Sequence, residues 1–221
     1  MCAERVLPDA CIDIIWDGAS LFVAGPDTGP VAVIALPGQF FVGVRFRSGK
    51  APGFLGVEAS ELLDRRVPLA DLWGRACAER MADRLASVAS PEGAASILDD
   101  AVASRARTVP EPDPIIDDLL AMFMTTPPDA LGAVQFASHH MCVGERRLYR
   151  HCRAAVGYGP KTLERVLRFQ RARRIARGTG SLASVAAEAG YADQAHLTRE
   201  CRRLAGATPS DLFKTASPVG S

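Results

Sequence analysis

Residues 186–200 read Ala-Ala-Glu-Ala-Gly-Tyr-Ala-Asp-Gln-Ala-His-Leu-Thr-Arg-Glu, and this stretch decides the fold. Leu182, Val185, Ala186 and Ala189 make a one-sided apolar stripe at helical spacing. Gly190 ends that helix, since glycine takes left-handed backbone at little steric cost. Asp193 is placed to cap a second helix, whose buried face is Leu197, Cys201 and Leu204. The same frame occurs 49 residues earlier: Ala137, Leu148, Arg150, Cys152, Arg153, Gly157 and Pro160 match Ala186, Leu197, Arg199, Cys201, Arg202, Gly206 and Pro209. Identities at one fixed offset, with the apolar ones at helical spacing, mark a duplicated supersecondary unit. In the first copy Phe136 and Ala137 belong to the opening helix, Gly144 precedes the second helix, and Leu148, Cys152 and Ala155 face inward.

This is helix-turn-helix spacing, in which the second helix offers its outer N-terminal side chains to a DNA major groove. The outward residues suit that role, with Glu145, Arg146, Arg147, Tyr149 and Arg150 in the first unit, and Gln194, His196, Thr198 and Arg199 in the second. Arginine can donate two parallel hydrogen bonds to guanine, and glutamine can pair with adenine. Between the units, Leu163, Val166, Leu167, Phe169 and Ile175 form an apolar stripe among Arg165, Arg168, Arg171, Arg173, Arg174 and Arg177. One long helix there would hold two reading helices about one duplex turn, ~34 Å, apart. Arg147, Lys161, Arg165 and Arg168 are expected to contact phosphates.

The charge distribution agrees. The chain has 221 residues with 26 basic and 25 acidic groups, a net charge of +1. Residues 1–128 hold 11 basic and 18 acidic groups, a net of −7, whereas residues 129–221 hold 15 and 7, a net of +8. An acidic module is therefore joined to one that seeks a polyanion. No apolar run reaches the ~20 residues of a membrane span, and the N-terminus lacks a basic-then-apolar signal pattern. The six cysteines contain no C-x-x-C pair and read as reduced residues of a cytoplasmic protein, with neither a disulfide frame nor a zinc site. All four histidines follow residue 138, which excludes a histidine-ligated metal centre from the first half; no metal or cofactor is expected.

Residues 5–58 carry strand signals. Ile12, Ile14 and Trp16 alternate with Asp13, Ile15 and Asp17 before the turn Asp17-Gly18, and Phe40, Val42, Val44 and Phe46 share one face opposite Arg45 and Arg47. About fifty residues are too few for a closed eight-stranded barrel, so a meander or open barrel is expected. From Leu69 the spacing of Leu72, Cys77, Met81, Leu85 and Val88 is helical; Ser90-Pro91-Glu92 starts another helix, and Ile115 to Phe123 a third, ending before Pro127-Pro128. The fold class is α+β: a small antiparallel β module over 1–68, a helical linker over 69–127, and an all-α double helix-turn-helix domain over 128–221. Asp13, Trp16 and Arg45, with Asp9, Asp27 and Arg47 nearby, are the candidates for lining an effector pocket.

The segment Val134–Phe213 resembles the AraC/XylS family of bacterial transcription regulators. The resemblance rests on Leu148-Tyr149-Arg150, Gly157-Tyr158-Gly159-Pro160, Arg168-Phe169-Gln170-Arg171-Ala172, the stretch Ala186–Glu200, and Gly206-Ala207-Thr208-Pro209. It implies base-facing roles for Arg146, Tyr149 and Arg150, and for Gln194, Ala195, His196, Thr198 and Arg199. The chain departs from the family at Gly144, where a capping Ser is usual, and at Cys152 and Cys201, where a large aromatic is usual. Leu7–Trp16, Phe22–Thr28, Phe41–Arg47 and Leu69–Gly74 resemble the N-terminal portion of an actinobacterial-type branch, which implies a partial cupin-like sensory or dimerising module, short at its start. The expected function is a sequence-specific, non-enzymatic transcription regulator. Its partners would be double-stranded DNA, a small-molecule effector, RNA polymerase and a second copy of the chain. The alternatives are a cupin-like barrel enzyme, and a non-specific DNA-coating or adaptor protein.

Overall fold

The computed structural model describes residues 2–111, 113–125, 132–178 and 181–214. The expected boundary at Pro127-Pro128 lies outside the described residues. Strands β2 (Ile12–Trp16), β3 (Leu21–Ala24), β5 (Val42–Phe46) and β6 (Arg66–Pro68) form one antiparallel sheet in the order β5-β2-β3-β6. Ile14 pairs with Val23 on one side and Val44 on the other. The period-2 alternation sets the faces: Ile12, Ile14 and Trp16 are buried, while Asp13 and Ile15 lie on the opposite face. The β2–β3 turn closes where the Asp17 carboxylate accepts from the backbone N–H groups of Ala19 (2.9 Å) and Ser20 (2.6 Å). A strand that the sequence pattern did not reveal, β1 (Cys2–Val6), pairs with β4 (Val31–Ala35) in a separate antiparallel ribbon.

The first 68 residues are not all strand and loop, as the composition suggested. Helix α1 (Ala51–Leu55) and a 3-10 turn at Ala59–Glu61 cover the sheet, burying Leu55 and Ala59. The helical spacing from Leu69 belongs to two helices, α2 (Leu69–Trp73) and α3 (Arg75–Ala86), separated by Gly74 at φ 85°. Helix α4 (Pro91–Ala106) starts as its sequence dictates, with the Ser90 hydroxyl accepting from the Gly93 N–H at 3.1 Å. Ile14, Trp16, Leu55, Leu69, Leu85 and Leu98 belong to the core of this half. Trp73 donates its indole N–H to the Phe54 carbonyl at 3.0 Å, with the Arg105 guanidinium 4.3 Å from its ring centroid.

Helix α5 (Pro114–Thr125) leads to the duplicated units: α6 (Ala133–His140) and α7 (Glu145–Val156), the connecting helix α8 (Pro160–Ile175), then α9 (Leu182–Ala189) and α10 (Gln194–Ala205), closed by α11 (Pro209–Lys214). The connector is one unbroken helix of 16 residues, ~24 Å long. Leu119, Leu148, Phe169, Val185 and Leu197 lie in a second core, which Ala10 of the N-terminal half also enters. On α7 the third inward residue is Val156, 1 % exposed, rather than Ala155, which is only half-buried. Leu148, Cys152 and Val156 keep strict i, i+4 spacing, so the buried stripe follows one ridge of the helix.

The two halves meet at the C-terminal ends of α7 and α10. Gly157, at φ 89°, ends α7 so close to the N-terminal half that a Cβ there would lie 2.6 Å from Pro26 Cγ and 3.1 Å from the Ala59 carbonyl oxygen. At α10, Arg5 donates to the Ala205 carbonyl at 2.9 Å, a cation at a helix C-terminus where the macrodipole favours it. Gln170 of α8 donates its side-chain amide to the Pro8 carbonyl.

Candidate nucleic-acid interface

Helix α7 begins at Gly144 without a side-chain cap, and Glu145 supplies the negative charge favoured in a first turn. With Leu148, Cys152 and Val156 turned inward, Arg146, Arg147, Tyr149 and Arg150 are exposed. Tyr149, 51 % exposed, lies across the backbone of the α7–α8 turn: a Cβ on Gly159 would be 2.5 Å from its ring. That contact fixes the phenol beside Arg146 and Lys161, which line the same shallow concavity.

In the second unit Gly190 (φ 85°) ends α9, and the Asp193 carboxylate caps α10 by accepting from the His196 N–H at 2.6 Å. Gln194, Ala195 and Arg199 are exposed, and Thr198 is half-buried with its hydroxyl donating to the Gln194 carbonyl at 2.8 Å. His196 is also half-buried, its ring set edge-on to buried Tyr191 with centroids 5.1 Å apart. Gln194, Ala195, Thr198 and Arg199 line one shallow surface together with Arg202, which the sequence reading did not single out. The repeat held that signal, because Arg202 is the counterpart of exposed Arg153.

Two of the expected phosphate contacts, Arg165 and Arg168, are engaged within the fold. Arg165 forms an ion pair with Glu200 of α10 at 3.1 Å, with side-chain exposures of 19 % and 12 %. Arg168 pairs with Glu164 at 3.0 Å, donates to the Gly190 carbonyl at 3.2 Å and lies 5.1 Å from the Tyr191 ring centroid. Both guanidinium groups brace the second unit on α8, and neither faces outward as a phosphate ligand. Further along, Arg171 donates to the Phe123 and Met124 carbonyls and Arg173 to the Gln170 side chain, so the cationic connector is largely an internal scaffold. Burial pushes the Glu164 carboxyl above the usual range, with Arg168 and Arg165 pulling it back. Arg147 and Lys161 are exposed, as are Arg174 and Arg177.

The expected effector trio is not brought together on one face of the sheet. Trp16 is 3 % exposed on the core face of β2, whereas Asp13 lies on the other face and is bonded twice by Arg45, at 2.9 Å each. Arg45 also donates to Asp9 at 2.8 Å. Residues on opposite faces of one strand cannot line one pocket, and the polar pair is a cross-strand ion-pair cluster. Among the described residues no group of three His, Cys, Asp or Glu side chains is placed to hold a metal ion, and no helix is long and apolar enough to cross a membrane. Cys152 and Cys201 are fully buried, and burial pushes each thiol up to about 12.

Two helix-turn-helix units, each presenting the exposed N-terminal turn of its second helix, define a DNA-binding domain. Residues 137–215 match the helix-turn-helix domain family HTH_18, and residues 2–68 match a domain of unknown function, DUF6597. The chain thus carries a helix-turn-helix domain over residues 137–215, preceded by a DUF6597 domain over residues 2–68. Its fold is similar to that of ToxT from Vibrio cholerae O395, with a TM-score of 0.50 and 11 % identity over 97 % of this chain and 90 % of that one. A second ToxT structure from Vibrio cholerae gives 0.53 and 9 % over 98 % of each chain, and apo ToxT K231A from Vibrio cholerae strain SCE256 gives 0.51 and 10 % over 97 % and 89 %. No curated protein matches the chain. The helix-turn-helix domain supports a DNA-binding transcription regulator.

Proposed function

We propose that the protein is a sequence-specific regulator that reads two major-groove segments with α7 and α10. Base contacts fall to Arg146, Tyr149 and Arg150 in one unit, and to Gln194, Ala195, His196, Thr198 and Arg199 in the other; Arg147 and Lys161 take phosphates. The observation that carries this reading is the matched pair of exposed helix N-terminal turns, Arg150 and Arg199 occupying equivalent places 49 residues apart. Arg165 and Arg168 act by holding α10 against α8. The N-terminal module over 1–68, with the helical linker over 69–127, biases the DNA-competent pose through small-molecule binding or pairing of two chains. RNA polymerase is the further partner such a regulator engages, and the cytoplasm is where it works. Selection of bound fragments from random DNA tests the reading. A recovered consensus supports it, whereas equal affinity for that consensus and its scrambled version rejects it in favour of non-specific coating.

A further inference from the structure

A cavity of about 740 Å³ opens at the seam between the two halves. That volume suits a small-molecule site. On one side are Pro52, Phe54 and Val57 of the N-terminal module, with Val109 and Pro110 after α4; on the other are His151, Ala154 and Ala155 of α7. Close backbone approach shapes it: a Cβ on Gly53 would lie 2.7 Å from Val109 Cγ1, and one on Gly49 would lie 2.8 Å from Ile116 Cγ2. The polar groups have an uneven balance. The two basic side chains at the wall are already engaged, Lys50 by Asp117 at 2.5 Å and 2.7 Å, and His151 by Asp113. Glu58, Glu61 and Glu111 are exposed at the rim, and among the described residues no ion pair engages them.

We infer that this cavity is the effector site and that it takes an organic cation: an apolar body against Phe54, Val57, Val109 and the α7 alanines, with an ammonium group among Glu58, Glu61 and Glu111. Glu58 and Glu61 also cap the 3-10 turn, Glu61 accepting from the Glu58 N–H and Glu58 from the Ser60 hydroxyl at 3.2 Å each. These bonds leave their charge uncompensated, so an anionic ligand would meet at the mouth three carboxylates without a cationic partner among the described residues. A neutral one would leave them as they are. The cavity also places a ligand beside the reading helix, since His151 lies one turn from Arg147, whose Nε is 3.5 Å from His151 Nε2. Occupancy therefore bears on the segment of α7 that leads into its exposed turn. The regulatory consequence rests on the DNA-reading assignment above; the binding itself does not.

The test uses the full chain and three matched probes: 2-phenylethylammonium, 2-phenylethanol and phenylacetate. Calorimetry should show the ammonium probe binding about tenfold tighter than either of the others. Glu111→Gln should weaken it severalfold, and Ala154→Phe, which fills the cavity, should abolish it while circular dichroism reports an intact helical fold. Equal binding of the three probes, no binding of the ammonium probe, or undiminished binding to a folded Ala154→Phe overturns the site. DNA affinity with and without the ammonium probe is read separately: a shift lost in Ala154→Phe supports the effector role, and binding without any shift overturns that role. A chain that binds the probe but no DNA instead refutes the DNA-reading assignment.

Discussion

Replacing Arg168 by alanine separates two roles for one cation. In the structure the side chain is 16 % exposed and joins three elements: Glu164 on its own helix, the Gly190 carbonyl ending α9, and Tyr191, against which His196 is set. Breaking a buried pair costs ~3–5 kcal/mol. Glu164 retains 13 % exposure and can take up a proton, so the lower end applies, about 3 kcal/mol. For a chain of this size that lowers Tm by about 6–12 °C. The sign of the pH dependence follows from Glu164. Its folded carboxyl is raised by burial above the ordinary value of 4.5, so the folded state holds that proton more tightly than the unfolded chain. The associated stability is fullest below pH 4.5 and declines as pH rises through the raised folded value; without Arg168 the decline deepens. Urea unfolding across pH measures both effects. DNA titration at several salt concentrations measures the alternative, because loss of a phosphate ligand makes the slope of log K against log salt shallower by about 0.9. Unchanged stability with a shallower slope would refute the bracing role.

Three further outcomes are expected. Arg150→Ala and Arg199→Ala should each cost ~1–3 kcal/mol on the preferred duplex and much less on scrambled DNA, read by fluorescence anisotropy; equal losses on both would remove these residues from base reading. Gly157→Ala places a Cβ 2.6 Å from Pro26 at φ 89° and should destabilise by ~2–4 kcal/mol in urea; a loss no larger than the ~1–2 kcal/mol of the left-handed backbone alone would mean that the two halves do not pack there. Alkaline stability should fall from about pH 9, because the unfolded thiols of Cys152 and Cys201 ionise near 9.0 while the folded ones stay protonated up to about 12. The penalty grows with pH toward ~4 kcal/mol per thiol, Tyr158 and Tyr191 add to it above pH 10, and a Cys152→Ala/Cys201→Ala chain that declines identically between pH 9 and 10 would disprove the thiol origin.

The duplicated units were legible because their signals are local. Gly190 and Asp193 stop one helix and start the next within four residues, and Leu197 and Cys201 are one turn apart. Ser90 worked in the same way for α4. What the sequence hid depends on chain segments brought together from far away. Arg165 meets Glu200 across 35 positions, and Arg45 meets Asp9 and Asp13 across the sheet. No periodicity distinguishes an arginine that faces solvent from one that finds such a carboxylate. Strand β1 was hidden for a related reason: Cys-Ala-Glu-Arg-Val becomes a strand by pairing with β4. The effector trio is separated by a local rule, since the alternation that buries Trp16 also turns Asp13 away from it.

The placement of the N-terminal half explains how it can act on DNA reading without lying at the proposed DNA surface. On the reading helices its contacts include the C-terminal ends, with Pro26 and Ala59 beside Gly157, and Arg5 on the Ala205 carbonyl. The proposed base-reading side chains are toward the opposite ends, in the first two turns of α7 and α10. A helix is stiff over its length, so a displacement at one end tilts the other. Each reading helix has 12 residues, ~18 Å, and even a small angular change at Gly157 or Ala205 moves the first turn by an ångström or more, enough to break a bidentate base contact. Control through this seam therefore requires neither unfolding of a unit nor a contact between the N-terminal half and DNA.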